Sequence, residues 1–167
     1  MSPLGDGSAY DTGQLGPSNQ PVLRNNELWF YYNGNRHRGL SQRSAWDREY
    51  LDGKAICLAK LRLDGFVSLK GGIECGSVLT KPIVIEGDQL HINVNSWRGQ
   101  VTAEILDATS GSPVAGFENT ASVPSSIDSI DETIRWKDKT DISELLGRTV
   151  RLRFSLLDAE IFAFWIG

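Results

Sequence analysis

Apolar and polar side chains alternate with a period of two along most of this chain, and that rhythm is the signature of half-buried β-strands. From residue 65 onward it predicts strands over FVSL (66–69), SVLTKPIVIE (77–86), QLHINVNS (89–96), QVTAEILD (100–107), TIRWK (133–137), TVRLRFSLLD (149–158) and EIFAFWI (160–166). Turn chemistry separates them at Glu86-Gly87-Asp88, Arg98-Gly99 and Ala108 to Gly111. Many short strands at this spacing predict an all-β fold, an antiparallel β-sandwich of jelly-roll-like character. Its predicted core holds Phe66, Val84, Ile92, Val94, Ile105, Leu152, Phe154 and Phe164. One short helix is expected where Asp141 precedes Glu144 by three residues as a capping pair, with Gly147 at the C′ position.

The first third reads differently. Residues 1–21, rich in Gly, Ser, Pro and Asn, predict an irregular lead-in. In LWFYY (28–32), Leu28, Phe30 and Tyr32 alternate with Trp29 and Tyr31, so both faces carry large apolar side chains. Such a strand is buried on both faces or lines a cleft on one. Its expected hairpin partner is AICLAKLRL (55–63). The long connection from Asn33 to Lys54 holds Arg36, His37, Arg38 and Trp46, a composition rich in recognition residues.

Composition narrows the partners. Of 167 residues, 40% are hydrophobic and 23% charged, and the formal net charge is −4. An acidic chain argues against nucleic acid or an anionic membrane as partner, because phosphate binding needs concentrated positive charge. The arginines between residues 24 and 48 are interspersed with Asp47, Glu49 and Asp52, which reads as a solvated mixed loop. No apolar run approaches the roughly 18 residues of a membrane span, and the first residues lack signal-peptide features. Cys57 and Cys75 form no metal or redox motif and read as free thiols.

No nucleophile elbow, phosphate loop, zinc-ligand spacing or cofactor motif is present. One strand face carries candidate chemistry. In LHINVNSW, Leu90, Ile92 and Val94 point to the core, while His91, Asn93, Asn95 and Trp97 point the other way. Amides and an imidazole exchange hydrogen bonds with sugar hydroxyls, and an indole stacks on the apolar face of a pyranose. The competing reading is an ordinary solvated face with one exposed tryptophan. Arg151 and Arg153 form a second polar face, read as structural.

Five stretches carry a resemblance: SAYDTG (8–13), ELWFYYNGNRHRG (27–39), AICLAKLRLDGFVSLKGG (55–72), VLTKPI (78–83) and VRLRFSLLDAEIFAFW (150–165). Together, over nearly the whole chain, they resemble the C-terminal end of bacterial glycoside hydrolase-like proteins similar to glycoside hydrolase families 32 and 43. That architecture is a five-bladed β-propeller followed by a β-sandwich. The resemblance implies that residues 1 to about 62 are the end of the last blade and the remainder the sandwich. Catalytic carboxylates would lie mainly on earlier blades, which this chain lacks, so no catalytic residue is carried over. Arg36, His37 and Arg38 match a loop that would face a sugar cleft.

The resulting expectation is a non-catalytic β-sandwich module of a glycoside hydrolase-like protein, structural or carbohydrate-contacting. Its tentative sugar contacts are His91, Asn93, Asn95, Trp97, Arg36, His37, Arg38 and Trp46, without metal or cofactor. The alternatives are a ligand-free oligomerisation module and an intact small glycosidase. With no preceding blade, the ring-bearing strand also predicts a homodimer through Trp29, Phe30, Tyr31 and Tyr32.

Overall fold

The computed structural model describes residues 9–17, 20–36 and 53–167. The chain divides into two compact units, Met1–Leu63 and Asp64–Gly167.

In the first unit, β3 (Glu27–Asn35) is the central strand. It pairs antiparallel with β4 (Lys54–Arg62) along its full length on one edge. On the other edge lie β1 (Gln14–Pro17) and then β2 (Val22–Arg24). Within the lead-in expected to be irregular, Gln14–Pro17 is therefore sheet. A two-residue turn joins β2 to β3, with Asn25 and Asn26 at φ 51° and 61°. Paired positive φ values define the hairpin turn whose twist matches its strands, and Asn tolerates them best after Gly. Gly34 lies where the lead-in crosses β3; a Cβ there would come 2.8 Å from the Tyr10 carbonyl oxygen.

The ring-bearing strand is not buried on both faces. Every buried apolar side chain among the described residues belongs to the second unit. Trp29 is half-buried by polar neighbours: its indole N–H donates to Glu27 at 2.9 Å, and Arg24 and Lys60 lie 4.7 and 4.3 Å from its ring. On the opposite face the Tyr32 hydroxyl donates to Asp11 at 2.9 Å. Holding that proton against a carboxylate pushes the Tyr32 pKa up to about 12. Both edges of β3 are paired with strands of the same unit. The face of Trp29 and Tyr31 also carries Ile56, 80% exposed, and Leu58.

The second unit is the expected sandwich. One sheet has the order β10 (Asp128–Thr133), β8 (Leu90–Asn95), β12 (Ala159–Ile166), β5 (Leu69–Gly71). The other centres on β11 (Thr149–Leu157), with β9 (Gln100–Asp107) on one edge and β6 (Gly76–Leu79) and β7 (Ile83–Val84) on the other. Between them lie Leu90, Ile92, Val94 and Ile161 from the first sheet, with Val101, Ile105, Leu152, Phe154 and Leu156 from the second. Phe117 and Trp136 join this core edge to face, centroids 5.0 Å apart, and the Trp136 indole donates to the Ala103 carbonyl at 3.0 Å.

Several expectations are corrected. Residues 133–137 are not a strand beyond Thr133; the strand is Asp128–Thr133, an edge whose polar sequence DSIDET hides its alternation. Phe66 precedes β5 and is 69% exposed. Val84 faces out because Ile83 and Ile85 take the inward positions. Phe164 lies at an open side of the sandwich, its ring 5.5 Å from Phe154, beside an apolar recess of about 470 Å³. The helix is one 3-10 turn, Ser143–Leu145. Asp141 accepts there from the Ser143 hydroxyl and backbone N–H, which holds its carboxyl below the usual range. Glu144 pairs with Lys139 instead of completing a capping box. Gly147 does adopt φ +75°. On the second outer face, Arg153 bonds Glu104 across the β9–β11 ladder at 2.6 Å.

Phe154 and Phe66 make a paired stability test. Phe154→Ala removes a buried ring and is expected to cost about 3–5 kcal/mol. Phe66→Ala, at an exposed position, should stay within about 0.5 kcal/mol. Chemical denaturation of both variants measures this; equal losses would place Phe66 in the core after all.

Candidate functional site

The site grows from the register of β8. With Leu90, Ile92 and Val94 completely buried, His91, Asn93 and Asn95 are committed to the outer face. Their availability differs. His91 and Asn95 are half-buried, whereas Asn93 is 1% exposed. Irregularities in both flanking strands fall opposite Asn93, between Ser129 and Glu132 in β10 and between Ile161 and Ala163 in β12. Asn93 therefore belongs to the structure of the sheet and presents nothing to a ligand.

At Asn95 the ladders bring four polar residues into one row across the sheet: Asp128, Asn95, Glu160 and Lys70. Neighbouring strands lie about 4.8 Å apart, so adjacent members are within reach of one small polar ligand. The Ser68 hydroxyl donates to Glu160 and orients its carboxylate. Lys70 makes no ion pair among the described residues.

Just beyond the row the chain leaves this sheet for the other through the turn Ser96-Trp97-Arg98-Gly99, closed by the Gly99 N–H donating to the Ser96 carbonyl at 3.0 Å. Ser96 is completely buried. Its hydroxyl accepts from the Ile127 N–H at 3.0 Å and lies 2.9 Å from the Ser125 carbonyl, to which it donates. The anchor holds Trp97 outward, 65% exposed, with the Arg98 guanidinium 5.0 Å from its ring.

A second inter-sheet corner, Leu157-Asp158-Ala159, packs against this turn. A Cβ on Gly99 would come 1.8 Å from the Leu157 carbonyl oxygen, so only glycine permits the approach. Asp158 takes φ +41° there and donates its N–H to the Gly72 carbonyl at 2.8 Å. Between the corners lies a recess of about 150 Å³ lined by Lys70, Asn95, Trp97, Arg98, Asp158 and Glu160. It offers carboxylate acceptors, ammonium and guanidinium donors, an amide that does both, and an aromatic face. The larger apolar recess beside Phe164 lacks such convergent polar groups, with Ser68 its only polar side chain.

At the other end of the β8 outer face, His91 Nδ1 lies 2.7 Å from Asp131 Oδ1. Its ring stacks on Trp165, planes 7° apart and centroids at 5.3 Å. Arg36 lies in the first unit at the end of β3, its guanidinium 4.3 Å from the Tyr10 ring. His37, Arg38 and Trp46 lie outside the described residues. Of the residues singled out from sequence, the recess thus unites Asn95 and Trp97. Lys70, Glu160 and Trp165 were missed because only strand pairing brings them to this face, and Arg98 and Asp158 because only the two corners bring them together. No group of three His, Cys, Asp or Glu among the described residues is placed to hold a metal ion. No helix among them is long and apolar enough to cross a membrane. No family model matches the sequence, and no curated protein or solved structure does either.

Ser96→Ala tests the anchor. Leaving the Ile127 N–H without its hydroxyl acceptor should cost about 1–3 kcal/mol. Denaturant melts of the variant measure it, and a loss below about 0.5 kcal/mol, the scale of ordinary surface changes, would remove Ser96 from this role.

Proposed function

We propose that the Asp64–Gly167 unit is a non-catalytic β-sandwich module that contacts carbohydrate through the recess beside Trp97. The observation that carries this reading is the exposed indole of a serine-anchored turn lining a recess at the end of a polar row. An aromatic face beside convergent donors and acceptors suits a sugar ring, whose two sides are apolar and whose rim is hydroxyl. The wider assignment, an accessory part of a glycoside hydrolase-like protein, rests on the sequence resemblance alone.

The first unit supports a second reading. Ile56, Leu58, Tyr31 and Val22 are exposed on one sheet face, and contiguous apolar surface marks interaction sites. Two copies meeting face to face through Trp29 and Tyr31 would cover it, with two-fold symmetry.

Tryptophan quenching against soluble glycans tests the first reading. Trp97→Ala should weaken binding about tenfold, equivalent to about 1.4 kcal/mol, while stability stays within about 0.5 kcal/mol. Undiminished binding by that variant would sink the site. Light scattering at micromolar concentration tests the second: a dimer returned to monomer by Ile56→Ser is expected, and a wild-type monomer ends it.

A further inference from the structure

We infer that the ligand of the β8 outer face is an extended oligosaccharide that spans two aromatic contact zones, not a single sugar. The inference rests on the carbohydrate reading above and adds the length of the ligand. The second zone is centred on Trp165, which no sequence motif singles out. Trp165 is 37% exposed and directly opposite His91 in the β8–β12 ladder. The stacked imidazole fixes the indole on one side, and Asp131 fixes the imidazole. The Asp131 carboxylate remains more than half open to solvent and forms one wall of a second recess, about 370 Å³, with Thr133 and Arg135. Trp165 and His91 lie outside the lining of that recess, so the second zone is the indole with its stacked imidazole, and the Asp131 carboxylate links it to the recess.

Their spacing decides between one sugar and several. Asn95 lies four residue steps along the strand from His91, about 13 Å at ~3.3 Å per residue. Trp97 lies further out still, in the turn beyond the strand. The strip between is closed, because Asn93 is buried and Ala163 stands opposite it. The zones cannot merge into one pocket around one ring. A single sugar fills one zone and leaves the other wet. A linear chain reaches both, and once the first zone is occupied the second contact becomes intramolecular, so a weak zone adds substantially to affinity.

The test is calorimetry of the full chain with cello-, xylo- and fructo-oligosaccharides, each from one to six units. In any series that binds, the hexamer is expected to bind at least about tenfold more tightly than the monomer, equivalent to about 1.4 kcal/mol. Trp165→Ala should erase that difference and leave the affinity for the monomer unchanged. Asp131→Ala, at a largely exposed carboxylate, should reduce the same difference and serves if Trp165→Ala folds poorly. Monomer binding as tight as hexamer binding overturns the extended ligand while the Trp97 site stands. So does length dependence that survives both substitutions. An absence of binding in every series overturns the carbohydrate reading and this inference together.

Discussion

The complete burial of Leu90, Ile92 and Val94 is the constraint on which the site depends. Strand side chains alternate strictly, so a slip of one residue would drive His91 and Asn95 into the core and the aliphatic set into water. Burial of three aliphatic side chains, each worth about 1.5–3 kcal/mol, forbids that slip. The core thereby determines which polar groups β8 presents, and the ladders to β10 and β12 determine what stands beside them.

This explains what was legible in the sequence. Strands β8, β9, β11 and β12 alternate clearly, and their spans were foreseen within one residue at either end. A single sequence carries the face of each strand but not its neighbours. Asn95 and Trp97 could be singled out from within β8 and its turn; Glu160 and Lys70 could not, because their row exists only once β12 and β5 are paired in register. Trp165 was hidden twice over. EIFAFWI is apolar at nearly every position, and the irregularity between Ile161 and Ala163 shifts the phase that would have assigned its face. The same pair of irregularities, flanking Asn93, turned a promising amide into a structural one. Strand β10 escaped because edge strands carry polar residues and short alternation.

The two units manage apolar surface in opposite ways. In the sandwich, two sheets share one buried core. The first unit has rings on both faces of β3 and buries none of them fully. Cations over the Trp29 ring, the carboxylate on Tyr32 and the guanidinium over Tyr10 cover parts of these aromatic surfaces with polar groups. A sheet covered in this way retains the chemistry of an interface, because snorkelling cations shield apolar surface without removing it from contact. The ring-rich stretch that looks most like a buried core in the sequence is thus only half-buried among the described residues.

The location of the recess follows from the same logic as its composition. A sandwich must pass its chain between sheets, and each crossing leaves backbone groups to be satisfied outside the ladders. Here two crossings stand side by side, one satisfied by the buried Ser96 hydroxyl and the other by the Gly72 carbonyl. Their close approach requires Gly99. The side chains of Trp97, Arg98 and Asp158 line the recess at the end of the polar row. The aromatic and charged groups of the site are therefore placed by the requirements of the corner, and their convergence needs no loop dedicated to binding.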